Sequence, residues 1–123
     1  MKNILITGCS SGLGLALTKQ YLKKGYKVYG ISRNRPTINH KNFIFKSFDL
    51  SKIKKIKKEL TPFLENIKKF NTVYLNAGIL GEINSMTKLK SKTIKKILDI
   101  NVFANKELLD ILCSLKVKNI IAI

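Results

Sequence analysis

Acidic residues are scarce in this chain of 123 residues: 7 Asp and Glu stand against 24 Lys and Arg, a formal net charge of +17. Tryptophan is absent, and there are only 2 cysteines, 2 prolines and 1 histidine. Each shortage closes off a class of protein. Cys9 and Cys113 cannot make a disulfide framework, and Cys9, inside a glycine-rich stretch, reads as a small residue filling a small space. His40 lies in a polar connector with no second His or Cys nearby, so no metal site is expected. No apolar run approaches the ~18 residues of a membrane span. Ile4-Leu5-Ile6 is too short for a secretory leader, and turn chemistry follows it at once. No membrane partner is expected, and the cytoplasm is the expected compartment.

The shortage of acid also raises the question of a polyanionic partner. Yet the only arginines are Arg33 and Arg35. The lysines recur as pairs between apolar residues, as in Lys54-Lys55, Lys57-Lys58, Lys68-Lys69 and Lys95-Lys96, the pattern of a solvated helix face. The aromatic interleaving of a nucleic-acid surface is missing. A bias of the source genome toward Lys, Ile and Asn would give the same excess. A basic RNA-binding module is therefore the less favoured reading.

What is present is concentrated at the start. Residues 1–14 read MKNILITGCSSGLG. Ile4-Leu5-Ile6 reads as a buried strand. Gly8, Gly12 and Gly14 then make a turn, and an amphipathic helix runs from Leu13 to Lys24. Strand, glycine turn and helix start are the geometry that holds a dinucleotide pyrophosphate, with backbone N–H groups of the helix N-terminus facing negative charge. Gly8 lets the chain leave the strand at φ values other residues avoid. Gly12 removes a Cβ where the pyrophosphate comes close, and Gly14 lets helix and strand pack tightly. Gly25 stands where a left-handed cap ends the helix, and Lys27 to Ser32 is a second strand, closing a first βαβ unit.

The end of that second strand selects the nucleotide. A carboxylate there would bond the ribose 2′-OH of NAD, but the residues are Ser32-Arg33-Asn34-Arg35. A guanidinium can bind a 2′-phosphate with charge-assisted bonds, so Arg33 favours NADP(H) over NAD(H), unless it is a solvated loop arginine. Ser11 could assist, and Arg35 is a weaker second choice. Beyond the proline-constrained connector 34–42, Phe43 to Phe48 reads as the third strand. A lysine-rich helix from Ser51 to about Lys69 follows, kinked or divided at Pro62. Thr72 to Leu75 is the fourth strand, residues 79–92 a connector, and one long helix runs from Ser91 or Thr93 through Cys113. Its apolar faces carry Ile94, Ile97, Leu98, Phe103, Leu108, Ile111 and Leu112. Lys116 to Lys118 read as a turn and Asn119 to Ile123 as the fifth strand.

The pattern T-G-x-x-x-G-x-G at Thr7, Gly8, Gly12 and Gly14, the run Asn76-Ala77-Gly78 after the fourth strand, and Asn101 in the long helix together resemble the short-chain dehydrogenase/reductase family. Leu75 stands where the family's N-N-A-G has its first Asn. The resemblance implies that Thr7, Gly8, Ser10, Ser11, Gly12, Leu13 and Gly14 belong to the cofactor site. It places Asp49 and Leu50 at the adenine, Asn76, Ala77 and Gly78 beside the adenosine, and Asn101 at a water in the proton relay. Asp49 or Ser51 could equally cap the next helix. The connector 79–92 lies where family members place residues near the cofactor mouth.

The implied fold is α/β: one Rossmann-like domain over residues 1–123, a doubly wound parallel sheet of about five strands in the order 3-2-1-4-5, incomplete relative to the family. The family's chemistry uses a Ser after the fifth strand and Y-x-x-x-K on the next helix, and the 123 residues stop before those positions. Four residues after Tyr21, Tyr26, Tyr29 and Tyr74 stand Gly25, Gly30, Arg33 and Gly78, none of them lysine. The expectation is the NADP(H)-binding part of an oxidoreductase acting on a small carbonyl or alcohol substrate, inactive by itself. The alternative is a non-catalytic nucleotide-binding or dimerising protein. A bare fifth strand would leave the chain marginal or drive it to pair with a second copy.

Overall fold

The computed structural model describes residues 1–78 and 88–123. Five strands form one sheet: β1 (Asn3–Thr7), β2 (Lys27–Ser32), β3 (Phe43–Ser47), β4 (Lys69–Leu75) and β5 (Lys116–Ala122). All neighbours pair in parallel, in the order β3-β2-β1-β4-β5. Ile4 stands opposite Val28 on one side and Thr72 on the other, so β1 is the centre. The chain moves outward from β1 through β2 to β3, then crosses back to β4. The point where that direction reverses lies at the C-terminal end of β1, where open parallel sheets place their ligands.

The helices are α1 (Gly12–Lys23), α2 (Ile56–Leu64), α3 (Ser91–Leu98) and α4 (Ala104–Leu112). Alternation along β1 divides the core. Ile4 and Ile6 pack with Leu22 of α1, Val28 and Phe43. Leu5 faces the other way, with Phe70, Val73, Ile56, Leu60 and Leu64 of α2, and Leu108, Ile111 and Leu112 of α4. Burying strands on both faces explains why their sequences read as continuous apolar runs rather than alternating ones. Gly25, at φ +85°, ends α1. Its N–H donates to the Leu22 carbonyl at 3.0 Å and that of Tyr26 to Tyr21 at 3.0 Å. The Tyr21 and Tyr26 rings then meet 5.1 Å apart, which completes a Schellman cap.

Several expected boundaries move. β4 begins at Lys69 and β5 at Lys116, and these two lysines stand opposite each other in register. Residues 116–118 are therefore strand, not turn. The turn falls at Cys113 to Leu115, where the Leu115 N–H donates to Leu112. The second helix is shorter than Ser51 to Lys69. It opens as a 3₁₀ turn at Ile53–Lys55, and α2 itself runs through Pro62 and stops at Leu64. The long helix expected from Ser91 or Thr93 through Cys113 is divided into α3 and α4 by a π-helical segment at Asp99–Phe103. Wider turns there shift the helical phase, and Phe103, read as part of an apolar face, is 50% exposed. No residue of α3 is fully buried, and Leu98 is exposed.

Candidate functional site

The C-terminal ends of β1, β2 and β4, with the segment after β3, open into one cleft of about 250 Å³. Gly8, Ser10, Ser11, Arg33, Asp49, Leu50, Asn76, Ala77 and Gly78 line it, together with Ile31, Ser32, Asn34, Lys96 and Ile100. Nine residues singled out from sequence thus share one wall system, although they come from four separate stretches of chain.

Glycine is required here for two different reasons. Gly8 and Gly12 have φ of +69° and +54°, values that L side chains rarely adopt. In front of Gly12 the space is open: a Cβ there would meet nothing within 4 Å. A Cβ on Gly14 would instead stand 2.0 Å from the Gly8 carbonyl oxygen and 2.6 Å from Asn76 Nδ2. Gly14 is buried beneath the turn and lets α1 start against it. Ser11, at the cap position, is extended and makes no side-chain cap. The first-turn N–H groups therefore keep no protein side-chain partner from the cap, the arrangement that suits an anion.

A floor of hydrogen bonds ties β1 to the segment after β4. The Thr7 hydroxyl accepts from the N–H groups of Asn76 and Ala77, each at 3.0 Å. Asn76 Nδ2 donates to the carbonyls of Thr7 and Gly8, both at 3.2 Å. Thr7 is fully buried, so it supports the cleft from below rather than lining it. Leu13 is 52% exposed on the first turn of α1 and also lies outside the lining.

Asp49 folds back on its own chain. Its Oδ1 accepts from the Ser51 N–H at 3.0 Å and the Ser51 hydroxyl at 2.7 Å. This is an Asx turn ahead of the 3₁₀ segment, whose cap position is Lys52. Burial pushes the Asp49 carboxyl upward, but the two Ser51 bonds and the nearby Arg33 and Lys52 charges outweigh it and hold it below the usual carboxylate range. Cys9, fully buried, sits 3.5 Å from the Ser32 hydroxyl, and burial pushes its thiol up despite that contact. A Cβ on Gly30 would stand 2.7 Å from its sulfur, so Cys9 fills the space that Gly30 leaves. The Arg35 guanidinium lies over the rings of Phe43 and Phe45, 5.5 Å from each, and not in the cleft lining.

Asn101 lies in the π-helical segment, beside the cleft. A Cβ on Gly78 would approach its Oδ1 to 3.1 Å, so the glycine makes room for it. Five lining residues were not assigned to the site from sequence: Ile31, Ser32 and Asn34 flank Arg33, whereas Lys96 and Ile100 come from a distant part of the chain. Lys96 reads as one of a solvated pair, and only its i, i+4 relation to Ile100, next to Asn101, would have marked it. Residues 79–87 of the expected cofactor-mouth connector lie outside the described residues.

A parallel sheet with a glycine turn and an anion-ready helix start at its switch point defines a Rossmann-like nucleotide-binding domain. Residues 2–116 match the short chain dehydrogenase family, and the chain belongs to that family. It is 27% identical over 108 residues to a benzil reductase ((S)-benzoin forming) of Bacillus subtilis, covering 85% of this chain and 44% of the relative. The structure of a short chain dehydrogenase family protein from Francisella tularensis superposes with a TM-score of 0.90 at 28% identity, covering 99% of this chain and 50% of the other. A 4-hydroxyisoleucine dehydrogenase complexed with NADH superposes at 0.74 with 29% identity, covering 93% and 49%. The chain thus spans half or less of each of these proteins. Members of the family bind NAD(P) nucleotides. Among the described residues no helix is long and apolar enough to cross a membrane.

Proposed function

We propose that these residues are the cofactor-binding part of an oxidoreductase that transfers hydride between a nicotinamide nucleotide and a carbonyl or alcohol carbon, with NADP(H) favoured over NAD(H). The observation that carries the reading is the cleft at the sheet's switch point, with Arg33 on its wall where a carboxylate would mark an NAD site. The residues fit the nucleotide. Open space lies before Gly12, and the start of α1 has no side-chain cap. Gly8, Ser10, Ser11, Gly12 and Gly14 would hold the pyrophosphate, with Leu13 in the same turn. Thr7 and Asn76 fix the floor, Asp49 and Leu50 receive the adenine, and Ala77 and Gly78 leave room for the adenosine. When bound, the nucleotide supplies the hydride chemistry.

The similar proteins are named as a reductase and a dehydrogenase, the two directions of one hydride transfer. Asn101, against Gly78, would hold a water of the proton relay. No tyrosine in these residues is followed four positions on by lysine, so binding without turnover is expected of them alone. A 4-hydroxyisoleucine dehydrogenase carries NADH; what argues for the phosphorylated nucleotide here is Arg33.

Titration of the full chain with NADPH and NADH, followed by nicotinamide fluorescence, tests the reading. NADPH should bind about tenfold tighter, a charge-assisted contact's worth, and Arg33→Ala should level the two. Equal or tighter NADH binding by the unaltered protein would reverse the nucleotide preference. Binding of neither would remove the nucleotide reading altogether.

A further inference from the structure

The segment after β2 is tied down at several points. Ser32 is buried, and its hydroxyl donates to the Asn34 carbonyl at 2.7 Å. The Phe48 N–H donates to the Ser32 carbonyl at 2.9 Å. Arg35 is held over two rings of β3. Arg33 lies between these anchors, and its own carbonyl accepts from the Ser47 hydroxyl at 2.7 Å. Ser47 is opposite Ser32 at the last paired position of β2 and β3. Its side chain therefore adds one bond beyond the end of the backbone ladder, to Arg33, which with Asn34 is exposed at the cleft wall and is the one of the two that carries a charge.

Ser47 itself is exposed and packs into neither core cluster. Core stability does not account for its bond. What the bond fixes is the peptide that follows Arg33, and with it the direction in which the guanidinium leaves the backbone. An arginine whose backbone is already set loses less freedom when its fork closes on a phosphate.

We propose that Ser47 is a positioning residue for nucleotide selection: by holding the Arg33 carbonyl it aims the guanidinium at the 2′-phosphate of the cofactor. The proposal rests on Arg33 being the 2′-phosphate anchor. Without the Ser47 hydroxyl the Arg33 peptide can turn, and the guanidinium spreads over directions that miss the phosphate. A ligand lacking the 2′-phosphate loses nothing.

Calorimetric titration of the full chain with adenosine 2′,5′-bisphosphate and adenosine 5′-monophosphate separates the two claims. The quantity read is the ratio of the two dissociation constants. Arg33→Ala should lower the preference for the bisphosphate about tenfold. Ser47→Ala should lower it about threefold, with monophosphate affinity and melting temperature unchanged, and Ser47→Thr should restore it. In the Arg33→Ala background, Ser47→Ala should change nothing further. If Arg33→Ala collapses the ratio and Ser47→Ala leaves it intact, the positioning role is wrong and the anchor stands. If Ser47→Ala weakens both ligands equally, its role is structural and the proposal falls. If Arg33→Ala leaves the ratio unchanged, or neither ligand binds, the anchor reading fails and takes the proposal with it.

Discussion

The Thr7 hydroxyl accepts from two backbone N–H groups 69 and 70 residues away, and the side chain that carries it is fully buried. Thr7→Val keeps the shape of the residue and removes the acceptor. Two N–H groups would lose their partner, at a cost of about 1–3 kcal/mol for each one left unsatisfied. Urea unfolding should show that loss, and Thr7→Ser should recover most of it. A Thr7→Val protein as stable as the original would mean that the segment after β4 is held by something other than this bond. At this scale the sequence was informative where a residue type is forced. The positive φ of Gly8 and Gly12 and the closeness at Gly14 leave no other choice, and the turn motif announces all three. The partners of Thr7 were not legible, because nothing local links it to Asn76. Lys96 and Ile100 were hidden for a related reason: they reach the cleft only through the placement of α3 and the π-helical segment, and a lysine among lysines carries no mark of its own.

At the scale of elements, α1 is fastened to β4 by Tyr21 and Tyr74, whose hydroxyls lie 2.6 Å apart. Burial, and then the bond and charge of Tyr74, push the Tyr21 phenol up to about 12. A phenol with a raised folded-state pKa favours its neutral form in the folded protein. Its contribution is complete below the ordinary pKa of about 10 and is lost as pH rises from there toward 12. Absorbance titration should show a tyrosine ionisation step near pH 12, and Tyr74→Phe should bring that step down. The absence of that late step would break the argument. The elements themselves were mostly legible, since buried parallel strands announce themselves as apolar runs and α1 has glycine at both ends. What escaped were boundaries set by tertiary pairing. Lys69 and Lys116 read as helix end and turn until each is seen to stand opposite the other. The division of the last helix escaped too, because no residue from Asp99 to Phe103 is by itself a helix breaker.

For the whole molecule, a net charge of +17 is set against exposed apolar side chains. Val102 and Phe103 are each 50% exposed, and Ile120, Ile121 and Ile123 are 48%, 40% and 62% exposed along and after β5. The charge resists association and the apolar surface favours it. Salt decides between them, because the screening length falls from about 30 Å at 0.01 M to about 3 Å at 1 M. Sedimentation of the full chain should show a single light species at the low salt concentration and a heavier one at the high. A monodisperse monomer with a cooperative melt across that range would show that these apolar side chains make no lasting contact. The sheet order was legible from the family's motifs, but the extent of this surface was not, since exposure depends on which neighbours each face acquires.

The central position of β1 has a consequence for how the chain is made. Of these five strands β1 leaves the ribosome first and must pair on both sides, and β4, its second partner, ends at Leu75. At about 5–20 residues per second, a nascent chain can close β1, α1 and β2 early, yet it carries the other edge of β1 open for seconds. During synthesis the vulnerable edge is therefore in the middle of the future sheet, not at its rim.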